Sequence, residues 1–189
     1  MTRSHAGCLD TAGLPADYTG VTLPELLVSL ALTSIITLTA VDFLPRFIHS
    51  NRMAGEVNRF IVALRLARSE AVKQGRRLVL CPQADRLICA RHADWGNGWL
   101  LFASEDRERD ANEALILTGP PLADFISMHS GNRRKRVVYQ PDGSSGGTNS
   151  SFTFCDRYHL ASPRVICLSN TGRPRTTATR CDGSPIECP

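Results

Sequence analysis

Two arginines one residue apart, Arg173 and Arg175, sit in the run Thr171-Gly172-Arg173-Pro174-Arg175. Gly172 supplies a tight turn. Pro174 fixes φ and extends the chain, so the two guanidinium groups project in a defined relation. Guanidinium groups held that way suit phosphate oxygens, through bidentate hydrogen bonds with little entropy left to lose. Thr176 and Thr177 add hydroxyls, and Arg180 adds a further cation. A second basic run, Arg133-Arg134-Lys135-Arg136, reads on its own as a solvated loop or a nucleic-acid patch. If folding brings it beside Arg173 and Arg175, the cations share one surface that binds phosphates without base specificity and weakens steeply with salt. Tyr139 and Tyr158 are the nearby aromatics, too few for base stacking, which favours contact with a duplex backbone. The competing reading is a β-turn whose arginines pair with acids of the same domain.

The other candidate chemistry belongs to cysteine. The chain has seven cysteines. Apart from Cys8, they are Cys81, Cys89, Cys155, Cys167, Cys181 and Cys188, an even set that reads as disulfides in an exported domain. Nearest-neighbour pairing, 81–89, 155–167 and 181–188, closes short loops punctuated by turn residues and is the favoured arrangement. Zinc is the alternative, but the spacings include no two-residue CxxC and no His pair at ligand distance. No metal, cofactor or catalytic site is expected. The chain lacks GxSxG, HExxH and a Walker loop, since the glycine-rich stretch 143–147 has no lysine. His92 with Asp94, and Asp156 with His159, lie close in sequence but have no nucleophile beside them, and read as surface or turn residues.

These groups must be positioned by an N-terminal helix and a β-rich remainder. Val21 to Val41 is an apolar run of 21 residues with one acid, Glu25. At 1.5 Å per residue that length matches a bilayer core of about 30 Å. A carboxylate inside such a segment costs on the order of 3 kcal/mol near the middle and so calls for a partner. Gly20 just before the run, Pro24 in the first turn and Glu25 five residues past Gly20 form a specific arrangement that resembles the processing site of type IV prepilins and pseudopilins. The resemblance implies cleavage by a prepilin peptidase between Gly20 and Val21, methylation of the new amine, and a pairing of Glu25 with the Val21 amine of a neighbouring subunit. A plain membrane anchor is the simpler alternative, and it leaves Gly20 and Glu25 unexplained. The leader departs from the family pattern: it is long, and it carries Arg3 against Asp10 and Asp17.

Beyond the run, Met53, Val57, Phe60, Ile61, Leu64, Ala67 and Ala71 recur at helical steps, so the helix is expected to continue amphipathically to Gln74 and to stop at Gly75. Pro45 should kink or locally melt it. Arg52 and Glu56 are an i,i+4 pair. The period then changes to short apolar strands near 78–81, 98–102, 115–117, 125–128, 137–140, 152–155 and 165–168, with a charged loop at 104–112 and a flexible Gly/Ser-rich stretch at 144–150. The expected fold class is α+β, a long helix packed on a mostly antiparallel β unit. The parts are a leader (1–20), a helix (21–75, with 21–44 in the membrane or filament core and 45–75 amphipathic) and a β domain (76–189). Residues 131–189 carry a surplus of five basic side chains, which accounts for the formal net charge of +4 on the 189-residue chain.

With the processing site, Leu80-Cys81-Pro82, Gly98-Trp99-Leu100-Leu101-Phe102, Tyr139-Gln140-Pro141-Asp142-Gly143 and Ser169-Asn170-Thr171-Gly172-Arg173, this order resembles the GspH/FimT-like pseudopilins across nearly all of the mature chain. Gly172-Arg173-Pro174-Arg175 matches the GRxR motif of FimT-like minor pilins, where the arginines are implicated in binding DNA for uptake. The resemblance implies a minor pilin held in the bacterial inner membrane by a single pass, with a periplasmic C-terminal domain exposed when in the filament. Its partners would be other pilins, the prepilin peptidase and double-stranded DNA. A purely structural H-type pseudopilin or priming minor pilin is the alternative, and a tip adhesin using the 144–150 stretch is a third.

Overall fold

Helix α1 (Leu23–Gln74) dominates the computed structural model, which describes residues 20–85, 87–103 and 115–188. Residues 1–19 of the expected leader, with Cys8, and the charged loop 104–112 lie outside the described residues. The chain divides into two compact units between Val41 and Asp42, and α1 runs through both.

In the first unit the Thr22 carbonyl accepts the amides of Glu25 and Leu26, which starts the helix. Pro24 falls in the first turn, where a missing N–H costs nothing. Leu26, Leu27, Leu30, Ile35 and Ile36 are all exposed. The polar side chains among them are satisfied by the helix itself: Ser29 donates to the Glu25 carbonyl (2.7 Å), Thr33 to Ser29 (2.9 Å), Ser34 to Leu30 (2.5 Å) and Thr37 to Thr33. The surface is therefore apolar in effect all round. No single helix among the described residues is long and apolar enough to cross a membrane; the stretch meets that requirement only when Leu23–Leu38 and Phe43–Gln74 are taken together. Of the kink or local melting expected at Pro45, the melting does not occur: α1 stays helical through it.

In the second unit the predicted stripe of α1 is buried from Met53 to Ala71. A Schellman motif ends the helix: the Arg76 amide reaches the Ala71 carbonyl, the Gly75 amide reaches Val72, and Gly75 has φ +61. The Arg52–Glu56 pair does not form; buried Glu56 takes Arg59 instead.

Two four-stranded antiparallel sheets follow. The strands are β1 (Leu78–Pro82), β2 (Trp99–Ala103), β3 (Leu115–Gly119), β4 (Ile126–Ser130), β5 (Val137–Tyr139), β6 (Ser150–Asp156), β7 (Arg164–Leu168) and β8 (Pro174–Thr177). The sheet orders are β3-β2-β1-β5 and β4-β6-β7-β8. In the first sheet, Leu78, Leu80, Leu101, Val137 and Tyr139 face α1, while Val79, Cys81, Leu100, Phe102 and Val138 form a second apolar cluster on the other side. Burial on both faces explains why β1 and β2 read as continuous apolar runs. In the second sheet, Met128, Phe152, Phe154, Ile166 and Leu168 join the core with α1. The alternate residues, among them Ser151, Thr153, Cys155, Val165 and Cys167, form its outer face.

The disulfides are Cys81–Cys89, Cys155–Cys188 and Cys167–Cys181. The first was expected; the 155–167 and 181–188 pairings are overturned. Register explains why. Thr153 pairs with Val165 and Ser151 with Cys167, so Cys155 and Cys167 stand four residues apart along the strands. That is about 14 Å, beyond the reach of one disulfide. The tail instead returns over the outer face and is fastened first at Cys167 and then at Cys155. Non-reducing peptide mapping of the exported protein should recover 81–89, 155–188 and 167–181 cross-linked peptides, and no 155–167 species.

Asp156, read from sequence as a turn residue beside His159, is buried and organises the end of β6. Its carboxylate accepts the amides of Tyr158 (2.9 Å), Leu160 (3.1 Å) and Ala161 (2.9 Å). It also meets Nδ1 of His49 on α1 at 2.8 Å, and the His49 ring lies 4.0 Å from that of Phe125. Burial alone would raise the Asp156 pKa, but the Tyr158 amide, the His49 ring and the Ala161 amide outweigh it and hold the carboxyl below its ordinary 3.8. A lowered folded value means the contribution is complete above the unfolded value and is lost as pH falls through the folded one. Asp156→Asn should cost about 2 kcal/mol at neutral pH. In urea titrations the gap to wild type should close as pH drops below 3.8.

Candidate functional site

The Gly172 turn is built by packing on three sides. The Gly172 amide donates to the Ser169 carbonyl at 2.9 Å, and the Ser145 amide to the Asn170 carbonyl at 2.9 Å. Fully buried Ser145 donates its hydroxyl to the Ser169 carbonyl at 2.7 Å. On the helix side, Arg68 Nε donates to the Gly143 carbonyl at 3.0 Å. Gly172 has φ +75, and a Cβ there would lie 2.1 Å from the Gly143 oxygen and 3.0 Å from Cε1 of Tyr139. Burial pushes the Tyr139 hydroxyl well above its usual range. The 144–150 stretch, expected to be flexible, is fastened here as well: Thr148 Oγ1 bonds both the amide and the carbonyl of Val138.

The segment 174–177, expected as the extended continuation of a turn, is a strand. β8 pairs with β7 in the register Leu168–Pro174, Cys167–Arg175, Ile166–Thr176 and Val165–Thr177, and forms the edge of the second sheet. Its alternation is too short and too polar to show as a strand in the sequence. Arg173 and Arg175 are exposed. Arg175 Nη2 makes a long 3.4 Å bond to the Cys181 carbonyl. Among the described residues the ion pairs are His49–Asp156, Arg59–Glu56 and Lys73–Glu70, so neither arginine of the turn is neutralised by an acid. The competing reading of internally paired arginines therefore fails among these residues. Arg180 opens a tight turn, with the Gly183 amide on its carbonyl at 2.9 Å.

The second basic run follows β4 through a 3-10 turn, Gly131–Arg133. Ser130 pairs with Phe152, Ser150 with Leu168, and Leu168 with Pro174. Residues 133–136 and the arginine turn therefore lie at the same end of the second sheet, at its opposite edges. They are not adjacent: β6 and β7 intervene, and the edges are about 14 Å apart. A groove of about 340 Å³ lies on the outer face at this end, lined by Gly131, Asn149, Ser150, Ser151, Cys167 and Arg175 among others. Arg134 does not line it: its Nη2 donates to the Asn149 carbonyl at 3.3 Å, and its Nε is buried without a partner among the described residues. Lys135 and Arg133 are exposed beside it, and Arg136 is half-buried. The trough is lined by Ser150, Ser151 and Ser169 with Arg175 as its cation, an arrangement suited to anionic oxygens rather than to covalent chemistry. At the N-terminus, Gly20, Val21 and Glu25 are exposed.

The family model described as type II transport protein GspH matches residues 56–172. The chain belongs to the GspH family. Its fold is similar to two crystal structures of the type IV minor pilin FimU of Pseudomonas aeruginosa. One superposes with a TM-score of 0.56 at 20% identity over 67% of this chain and 89% of that one. The other gives 0.51 at 20% over 64% and 88%. No curated protein matches in sequence. The α+β pilin-like fold and the GspH/FimT-like reading hold. The family is one of structural filament subunits that interact with other pilins. The shared region stops at Gly172, one residue before the first arginine of the turn.

Because Gly172 has a positive φ and no room for a Cβ, Gly172→Ala should destabilise the domain by about 2 kcal/mol. Denaturant unfolding measures that loss, and an unaffected midpoint would show the turn to be undocked.

Proposed function

We propose that this protein is a minor pilin of a type IV filament system that captures double-stranded DNA, without base specificity, through the Gly172-Arg173-Pro174-Arg175 turn during DNA uptake. The single observation that carries the reading is electrostatic. Two exposed arginines sit on a rigidly docked turn with no acid to pair with among the described residues, and a basic run lies at the same end of the sheet. Cations left unpaired on a fixed scaffold have affinity to offer a phosphate backbone. A single domain binds weakly; copies along a filament add avidity.

Membrane placement belongs to the same proposal. The first unit's exposed apolar helix suits a single pass of the inner membrane before assembly and the filament core afterwards. Cleavage after Gly20 by the prepilin peptidase and methylation of the Val21 amine would give Glu25 its counter-charge in an adjacent copy. A periplasmic domain agrees with three disulfides. The second reading is a structural H-type pseudopilin or priming minor pilin. It is favoured by the family match, which covers the core and ends before the arginines.

Gel shifts with a DNA duplex across a salt series separate the two. Wild type should bind at low salt, and Arg173→Ala/Arg175→Ala should reduce the slope of log affinity against log salt by about two. No binding at low salt, or an unchanged slope in the variant, would remove DNA capture and leave the structural reading.

A further inference from the structure

The arginine turn borders a second groove that sequence reading did not find. It runs between α1 and β8, holds about 670 Å³, and is lined by Arg65, Arg68, Ser69, Val72, Lys73, Arg173 and Pro174. Four of those residues are cationic. Arg65 and Lys73 are exposed. Among the described residues the only acid paired with any of the four is Glu70, at 3.5 Å from Lys73. Hydrogen bonding from Gln74, with Lys73 beside it, keeps the Glu70 carboxyl below its ordinary value. Arg68 gives one donor to the Gly143 carbonyl, which holds its side chain at the groove and leaves its remaining guanidinium donors unspent.

We propose that this groove is a second phosphate track for the same DNA, with Arg65, Arg68 and Lys73 of α1 forming the wall opposite Arg173. The proposal rests on the reading of the turn given above and extends it to residues outside the GRxR segment. Arg173 borders the helix-side groove and Arg175 borders the trough on the outer sheet face, so each groove carries one arginine of the turn, with Pro174 between them in the chain. Arg65 to Lys73 spans about 12 Å along the helix axis. One DNA strand advances about 3.4 Å along the duplex axis per phosphate, so that length faces three to four phosphates. Val72 and Pro174 supply an apolar floor, and no aromatic side chain lines the groove, so it fits a sugar-phosphate backbone better than unstacked bases. The same chemistry would also attract an anionic lipid surface; the charge-bearing walls on opposite sides of a groove favour a rod laid between them over a flat sheet.

Salt-dependent binding of a labelled DNA duplex to the full-length protein in neutral detergent tests this. Arg65→Ala/Lys73→Ala should lower affinity about tenfold and reduce the salt slope by about two, with melting temperature unchanged because both side chains are exposed. Arg65→Lys/Lys73→Arg should restore the slope, and Arg91→Ala/Arg157→Ala, exposed but away from the groove, should leave it untouched. If the Arg65/Lys73 variant keeps the wild-type slope while Arg173→Ala/Arg175→Ala loses it, the helix-side track is wrong and the turn alone binds. If wild type does not bind DNA, both proposals fall. Vesicles containing phosphatidylglycerol form a parallel arm: loss of vesicle binding in the Arg65/Lys73 variant with DNA binding intact would make the groove a lipid contact and overturn the assignment.

Discussion

Phe60 is where three layers meet. Its ring lies within edge contact of Trp95 beside the first sheet, of Trp99 in it, and of Phe152 and Phe154 in the second. Among the described residues the two sheets share no ladder of hydrogen bonds, and the helix stripe centred on Phe60 packs against both. Everything at the functional end inherits its position from that joint. β6 is placed by Phe152 and Phe154, β7 by its pairing with β6, and β8 by its pairing with β7. The arginine turn is thus three steps removed from the aromatic hub, yet each step is a backbone ladder or a buried side chain rather than a free loop.

What could be read in the sequence divides along physical lines. The helix, its buried stripe and its Gly75 stop were legible because a 3.6-residue period and a glycine C-cap are local signals. The seven apolar strands were legible for the same reason. β8 was not, since Pro174-Arg175-Thr176-Thr177 has neither apolar alternation nor length, and only β7 beside it makes it a strand. Cys81–Cys89 was legible, but the pairing of the last four cysteines was not: whether Cys155 reaches Cys167 depends on β6–β7 register, a quantity absent from local spacing. Asp156 reads in the sequence as a neighbour of His159, three positions along the chain. Its partner, His49, is on a helix more than a hundred residues away, and no pattern linked them.

The candidate site shows the same split. Arg173 and Arg175 announce themselves by composition, with a glycine and a proline to position them. Arg65, Arg68 and Lys73 do not, because a basic residue on the polar face of an amphipathic helix looks like ordinary solubility. Only the docking of the Gly172 turn near the end of α1 places those side chains across a groove from Arg173. The basic run at 133–136 is the reverse case. It is conspicuous in the sequence, but folding holds it an entire sheet width from the turn and commits Arg134 to the Asn149 carbonyl and to carrying the bond from Trp95 Nε1 on its own carbonyl.

The tail ties oxidation to the site's shape. Cys167 stands opposite Arg175 across the β7–β8 pair, and its disulfide partner Cys181 offers its carbonyl to the Arg175 guanidinium. A cross-link at that point limits how far β8 and the following chain can separate, so the edge strand that displays the arginines is closed at its far end by a covalent bond as well as by a sheet ladder. A short polar edge strand next to a return loop would otherwise fray, since it has one hydrogen-bonded neighbour and little apolar area to bury. In a compartment that oxidises thiols the strand is held, and its cations keep a fixed spacing. The family match ends at Gly172, while the disulfide that fastens the arginines closes beyond it, at Cys181. The shared core thus builds the platform, and the chain beyond it supplies Arg173, Arg175 and the cysteine that closes onto Cys167.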